Sequence, residues 1–453
     1  MATAHAIRQE VDYVIIGSGP GGATVARGLA RAGRSVILLE RGKDYRDWAL
    51  YGTYAGALTY ADRHALLFTR EGLNVIRPMM AGGATSMYCG CAAPPPAWLK
   101  DDYHIDLEPQ VAAAQQELSL APLPAHLRGS ASTRLAEAGQ ALGQDWQPLL
   151  KFMRPGRASP FNCGAKCMLG CRCGAKWNAV EWVDEAVSAG AEFWTEARVD
   201  QILLDGPGRR QASGVRGRRH GQPFEIQAGT VIVCAGGIGS PLLLRQAGLQ
   251  RAGYGIAMDT TVIVYGLSAE QGNGGEPPMT YAWENPEEGY MLSTLIDPWL
   301  MYPIITALKG PQYGLTWPRW GRSLGVMVKL KDDTTGEVAA EHDISKPMTP
   351  ADLVKLDRAT ATAERILVKA GADPQSIFAT PPRGTHPCAS VRIGDQLDSN
   401  LQTEIDHLYV CDASAFPASL ARPTVLTIIA LGERLVQHLT AIDKVEHAAL
   451  QTT

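Results

Sequence analysis

The sequence predicts an α/β fold in which a parallel sheet of βαβ units is interrupted by a second, sheet-based lobe. Three observations predict it. Short apolar runs recur at residues 12–16, 230–234 and 408–411, as expected of strands buried on both faces of a parallel sheet. A helix of small residues at 23–32 and a second strand at 35–40 follow the first run at the spacing of one βαβ unit. Residues 255–345 differ in texture, being aromatic, proline-rich and strand-like.

The remaining elements follow in order. A long mixed region is broken by Pro94, Pro95 and Pro96. Residues 180–189 have helical periodicity, with Gly190 as the stop. Residues 194–233 read as a strand-and-hairpin stretch with turns at Gly206-Pro207-Gly208 and Gly217, where Arg216, Arg218 and Arg219 read as a solvated hairpin tip. Residues 350–371 have helical spacing ending at Gly371, and 426–439 read as a closing helix. The expected organisation is discontinuous. Residues 1–95, 155–255 and 376–453 form a nucleotide-binding domain, 96–154 and 256–375 a substrate or cap region, and 160–178 a cysteine-rich loop. There is no internal repeat.

Composition narrows the function classes. With 453 residues, 45% hydrophobic and 19% charged, the chain has room for two domains or one with an inserted lobe. A formal net charge of −4 gives no support to a nucleic-acid surface. Residues 1–11 are polar and lack the apolar core of an export signal. The longest apolar stretch, 290–308, is broken by Asp297, Pro298 and Pro303, so no membrane span is expected. The expected location is the cytoplasm, with peripheral membrane attachment through a partner as the alternative. The nine cysteines are then expected to be reduced.

Gly17-Ser18-Gly19-Pro20-Gly21-Gly22 satisfies G-x-G-x-x-G between a strand and a helix. Gly17 permits the tight turn, Gly19 lets backbone approach a pyrophosphate, and Gly22 allows close helix–strand packing. The helix N-terminus favours the phosphate charge. Glu40 closes the next strand, where a carboxylate accepts hydrogen bonds from ribose hydroxyls and repels a 2′-phosphate. This Rossmann-like fingerprint serves NAD and FAD alike.

Further motifs carry a resemblance. Gly82-Gly83-Ala84-Thr85-Ser86 is one, and Cys234-Ala235-Gly236-Gly237-Ile238-Gly239-Ser240-Pro241 is another. A C-terminal stretch begins at His386-Pro387 and runs through Gly394 to Cys411-Asp412-Ala413-Ser414. Together with the N-terminal fingerprint, these resemble the glucose–methanol–choline (GMC) oxidoreductases in the right order along the chain. The resemblance implies FAD as cofactor, in a Rossmann-like FAD-binding domain with an inserted, sheet-based substrate domain. It places Gly82, Gly83 and Ser86 near the flavin, and Val199 against the adenine. Ala235 lies in the second signature, and Asp412 and Ala413 lie along the pyrophosphate and ribityl chain. It implies that His386 accepts the alcohol proton while hydride leaves the carbon, a role suited to an imidazole. A hydrogen-bonded structural histidine is the plain alternative.

One departure stands out. The family usually supplies His or Asn about 40 residues later, and this chain offers Pro423 or, one residue earlier, Arg422. Arginine can hold a carbonyl, a carboxylate or an anionic intermediate, but it is a poor base. A reaction on an unsaturated or carbonyl-activated substrate therefore stays open beside alcohol oxidation.

Cys163, Cys167, Cys171 and Cys173 fall within eleven residues. In a reducing compartment such spacing reads as metal binding or redox chemistry. The segment Cys167-Met168-Leu169-Gly170-Cys171-Arg172-Cys173-Gly174-Ala175 also resembles one in GMC-type sugar dehydrogenases that holds an iron–sulfur cluster, and this implies a cluster on these thiolates. Structural zinc, disulfides and a metal-free loop are the alternatives. Cys89 and Cys91 either add ligands or pack, and Cys234, Cys388 and Cys411 are expected to be buried.

Trp299, Tyr302, Tyr313, Trp317 and Trp320 enrich the lobe at 255–375, pointing to an apolar or ring-shaped substrate or to ordinary core. The expected activity is an FAD-dependent dehydrogenase acting on an organic alcohol, its electrons leaving through the cluster to a protein or quinone acceptor. An oxidase producing hydrogen peroxide, a non-redox FAD-containing lyase or isomerase, and an electron-transfer subunit are the competing readings.

Overall fold

The computed structural model describes residues 7–451, with the side chains of Arg209 and 446–451 excepted. The expectation of no export signal at 1–11 thus falls largely outside the described residues. The chain builds one sheet from β1 (Ile7–Ile16), β2 (Val36–Leu39), β3 (Glu192–Trp194), β4 (Ala197–Asp205), β5 (Gln211–Arg219) and β6 (Gln222–Val233). The spatial order is β4-β5-β6-β1-β2-β3, and a late strand at Leu408–Val410 pairs with the end of β6. β1 runs parallel to β6 and β2, with Ile16 opposite Val233 and Leu39. The centre of this sheet is apolar on both faces because helices cover both. They are α1 (Pro20–Arg31), α2 (Val180–Ser188) and α3 (Gly236–Gln246), with a C-terminal helix described below. Arg216 at the β5–β6 hairpin pairs with Glu225, while Arg219 lies over the Trp194 ring.

A second, mostly antiparallel sheet of nine strands has β7 (Thr261–Leu267), β8 (Tyr281–Asn285), β9 (Tyr290–Thr294) and β10 (Ser323–Leu330) at its centre. Its two faces separate cleanly. Val262, Val264, Val326 and Val328 pack under α4 (Pro350–Lys369). Ile263, Tyr265, Met291 and Met327 form a separate apolar cluster on the other face. α4 starts at a capping box in which Thr349 Oγ1 accepts from the Asp352 amide at 3.1 Å.

The chain then returns through β11 (Leu408–Val410) and α5 (Val425–Gln451). By length and composition α5 is the one helix among the described residues that meets the measure of a membrane span. Its Leu426, Ile429, Leu431 and Leu435 are buried, and a Cβ on Gly28 of α1 would come within 2.7 Å of Val436. It is a core helix docked on the nucleotide fold. Buried Arg27 ties α1 to the helix Glu108–Glu117 and to α5, through Glu117 at 2.6 Å and Glu433 at 2.8 Å, with its guanidinium 3.5 Å from the Trp182 ring centroid.

The segment boundaries depart from those expected at two places. Leu107, Val111 and Ala114 join the core of the first sheet, although 96–154 reads as cap. Strands Leu67–Phe68, Asn74–Val75, Phe378–Ala379 and Arg383–Gly384 join the second sheet, although their segments read as nucleotide domain. A third difference concerns 301–322, which is helical where strand-like texture is read. It forms Met301–Ala307, Pro311–Gly314 and a 3₁₀ turn at Trp317–Arg322. Its prolines sit in first turns, where a missing N–H leaves no bond unmade.

Candidate active site

One cavity of about 700 Å³ opens along the C-terminal ends of β1, β2 and β6 and reaches the second sheet. This is where ligands bind in open α/β folds. Gly17, Gly19, Glu40, Gly83, Val199, Ala235, His386, Asp412 and Ala413 all line it.

The glycines are there for steric reasons that differ. Gly17 has φ +105°, and a Cβ on it would lie 2.2 Å from the Cys234 carbonyl oxygen. A Cβ on Gly22 would lie 1.8 Å from the Gly17 carbonyl oxygen, so Gly22 closes the turn and stays off the cavity. A Cβ on Gly19 would meet no protein atom within 4 Å, although the residue lines the cavity. Its missing side chain therefore serves whatever enters the cavity, as close approach of a pyrophosphate requires. Gly82 donates its amide to Ser18 Oγ at 3.1 Å, and a Cβ on Gly83 would lie 3.1 Å from the Gly19 Cα, so the two glycine loops touch.

Glu40 does double duty. It accepts from Ser18 Oγ at 2.7 Å and from the Gly42 amide at 2.7 Å, which braces the loop while its carboxylate lines the cavity. Asp412 accepts from the Gly236 amide at 2.8 Å and from Ser240 Oγ at 2.5 Å, joining the last strand to the start of α3. Burial raises its carboxyl above the usual range, against these hydrogen bonds. Ser86 does not line the cavity. It is buried, donating to the Ala81 carbonyl and accepting from Asn178. Arg41, Arg77, Arg198 and Arg245, which motif reasoning passes over, also line the cavity. Arg41 and Arg77 are paired with Glu341 and Arg198 with Asp200, so the wall offers guanidinium donors without a net cationic field.

His386 stands at the far end of the cavity. Its Nδ1 lies 2.7 Å from Asp259 Oδ2. Asp259 is fully buried, and it also accepts from Ser419 Oγ and from the Ala421 amide. Burial raises its carboxyl, but the hydrogen bond and charge of His386 and the Lys329 ammonium hold it below the usual carboxylate range. An ionised Asp259 fixes the proton on Nδ1 and leaves the Nε2 lone pair free. Burial, reinforced by the Lys329 ammonium, lowers the His386 pKa against the pull of Asp259. The ring is thus held toward its neutral form, oriented in the cavity wall. Lys329 is buried, with Nζ 2.7 Å from Thr385 Oγ1. Asp259 lies 127 residues from His386 and belongs to no motif that points to it.

Arg422 corrects an expectation. It does not line the cavity, because its guanidinium is held by Glu284 Oε2 at 2.6 Å and by the Pro94 carbonyl at 3.1 Å. Thr424 and Val425 line the wall near that position.

Cys163, Cys167, Cys171 and Cys173 line a second cavity of about 350 Å³, which the sequence spacing alone does not guarantee. None is disulfide-bonded, and the sulfurs of Cys171 and Cys173 lie 3.7 Å apart. The hydrogen bond from Cys167 lowers the Cys163 thiol to about 7 against burial. Two buried lysines flank the group. Lys176 Nζ donates to the carbonyls of Ser86, Tyr88 and Cys167. Lys151 Nζ donates to the carbonyls of Cys89 and Pro278 and to Cys91 Sγ at 3.0 Å. Among the described residues neither ammonium has a carboxylate partner. Burial pushes the Cys89 thiol up to about 12.

The GMC oxidoreductase family models match residues 104–260 and 327–432. An uncharacterized GMC-type oxidoreductase of Mycobacterium tuberculosis is 30% identical over 408 residues, covering 80% of this chain and 60% of that protein. Long-chain-alcohol oxidase FAO4B of Arabidopsis thaliana is 24% identical over 495 residues, covering 93% of this chain and 66% of that protein. The chain spans about 60% of the length of the mycobacterial relative. Two solved flavoenzyme folds superpose along nearly the whole chain. Pyridoxine 4-oxidase from Mesorbium loti has a TM-score of 0.70 at 15% identity, covering 94% of this chain and 99% of that one. An Aspergillus oryzae formate oxidase has 0.73 at 14%, covering 97% and 100%. The glycine cradle, the guanidinium donors and Glu40 fit FAD, the cofactor that this family supports. The chain belongs to the GMC oxidoreductase family.

Proposed function

We propose that the protein is an FAD-dependent oxidoreductase that oxidises an apolar alcohol, with His386 as the base. The observation that carries this reading is the Asp259–His386 pair in the wall of the nucleotide cavity. Gly17, Gly19, Gly83, Glu40, Val199, Ala235, Asp412 and Ala413 would hold FAD, which when bound accepts hydride from the alcohol carbon. Neutral His386 takes the hydroxyl proton at Nε2, and Asp259 stabilises the imidazolium that forms. Lys329 favours prompt release of that proton, because its ammonium disfavours the charged ring. The apolar character of the substrate is taken from the name of the Arabidopsis relative.

The finer reading is a dehydrogenase whose electrons leave through an iron–sulfur cluster to a protein or quinone. Cys163, Cys167, Cys171 and Cys173 would hold the cluster. Its support is electrostatic: two buried ammonium groups without carboxylates beside four thiols suit an anionic occupant. An oxidase that passes electrons to oxygen is the second reading. It is favoured by the names of the relative FAO4B and of the structural neighbours pyridoxine 4-oxidase and formate oxidase.

The deciding experiment is anaerobic purification, followed by an absorption spectrum and iron and sulfide assays. Flavin bands with a broad visible shoulder and several irons per chain, lost in Cys167→Ser, support the cluster. Flavin bands without iron, with peroxide formed one for one with alcohol consumed, select the oxidase. Turnover with no bleaching of the flavin under anaerobic conditions overturns alcohol oxidation altogether.

A further inference from the structure

We propose that residues 298–322 form a docking surface for an anionic phospholipid bilayer. Residues 298–331 contain no Asp or Glu, in a chain of net charge −4. The helical lobe within this stretch carries Lys309, Arg319 and Arg322. Lys309 and Arg319 are exposed and form no ion pair among the described residues. Between these cations the lobe presents apolar groups to solvent. Leu315 is 79% exposed, Leu308 60%, Ile304 58% and Trp299 47%, values that exclude a role in the fold's own core. Ile304 and Leu308 are four residues apart, so they share one face at the C-terminal end of the helix Met301–Ala307. Trp299 and Trp317 sit ring against ring at 4.9 Å.

This mixture of aliphatic tips, indole rings and cations is the composition of an interfacial segment. The lobe is also firmly rooted. Tyr302 packs on Tyr265 at 4.9 Å, Tyr313 on Phe378 at 4.3 Å, and Trp320 Nε1 donates to the Asp297 carbonyl at 3.0 Å. Helix Tyr54–Tyr60 lies alongside, joined through Tyr54 Oη and the Leu300 amide, and it adds Leu58 at 45% exposure. A rigid base under exposed apolar tips lets insertion proceed without ordering a loose segment. A second copy of the chain is a poorer occupant, because a two-fold contact sets this acid-free patch against itself and gives Lys309 and Arg319 no carboxylate to meet.

The roots connect the surface to the reactive centre. Tyr265 lies on the sheet face that continues through Ile263 and Met327 to Thr261 and Lys329, two cross-strand pairs further on. Lys329 contacts Thr385, the neighbour of His386. The bilayer-facing lobe thus packs on the same face of the second sheet that carries Lys329, one residue contact away from the neighbour of His386. The docking surface stands independently of whether the cysteines hold a cluster.

The test is co-sedimentation of the FAD-loaded full chain with vesicles of phosphatidylcholine alone, and of phosphatidylcholine mixed with phosphatidylglycerol. Binding to the mixed vesicles and its release by salt are expected. Ile304→Ser/Leu308→Ser/Leu315→Ser lowers partitioning at least about tenfold with unchanged flavin content. Lys309→Gln and Arg319→Gln each lower it by about fivefold. Failure of the wild type to bind the mixed vesicles overturns the proposal, as does equal binding by the triple variant. So does a lipid-free dimer, seen by sedimentation velocity, that the triple variant abolishes, since the surface would then be a self-contact.

Discussion

Asp259 Oδ2 and His386 Nδ1 lie 2.7 Å apart, and Asp259 accepts two further hydrogen bonds that leave its carboxylate no freedom to turn. The imidazole is therefore held by a buried charge. Asp259→Asn keeps the shape but loses the anion that fixes the tautomer and supports the imidazolium. Asp259→Asn and His386→Ala are both expected to retain flavin. Each is expected to slow anaerobic flavin reduction by alcohol roughly 10²- to 10⁴-fold, measured by stopped flow. A variant that reduces flavin at the wild-type rate removes that residue from the mechanism.

Lys329 bears on the same ring through charge. Its ammonium holds the His386 pKa down, so the base stays neutral to lower pH than an ordinary histidine. Lys329→Met takes that influence away, and the His386 pKa rises. The acid limb of the kcat/KM profile is then expected to move to higher pH, with activity lost first in mildly acidic buffer. A limb that stays in place or moves to lower pH contradicts the assignment.

The two key glycines of the fingerprint are expected to fail in different ways. Gly19 has φ −64° and a Cβ there meets no protein atom, so Gly19→Ala folds and keeps its melting temperature. Its FAD affinity, measured by flavin fluorescence on titration of apoprotein, falls at least about tenfold. A Cβ on Gly22 would lie 1.8 Å from the Gly17 carbonyl oxygen, so Gly22→Ala loses about 3 kcal/mol or more of stability before any cofactor question arises.

Arg422→Ala is expected to leave kcat unchanged. It removes the contacts to Glu284 and to the Pro94 carbonyl, at a cost of about 1 kcal/mol read from denaturant unfolding. A large loss of kcat with normal stability returns Arg422 to the active site.

What was legible in the sequence is what is local in it. The βαβ unit, its glycines and Glu40 lie within residues 12–40, and each carries its own steric or electrostatic reason. His386 is found through a motif, and the four cysteines through their spacing. Asp259 is invisible because its partner is 127 residues away, and no local rule couples a carboxylate before one strand to a histidine after another. Arg422 is misplaced for the same reason, since Glu284 decides where its guanidinium goes. Ser86 turns inward because Asn178 and the Ala81 carbonyl satisfy it. The helical lobe at 301–322 escapes notice because proline and aromatic content reads as strand-and-turn, whereas proline in a first helical turn is no obstacle.

The close packing around α1 has a consequence for synthesis. A Cβ on Gly21 would strike the Cys411 carbonyl at 1.9 Å, and one on Gly28 would strike Val436. Helix α1 thus reserves its contact surfaces for a strand and a helix that follow it by almost four hundred residues. A ribosome releasing this βαβ unit delivers a half-built nucleotide fold whose glycine-bared flank waits for roughly the next four hundred residues. Folding therefore closes β11 and α5 back onto the βαβ unit, and the cofactor cradle is completed only after α5 has been made.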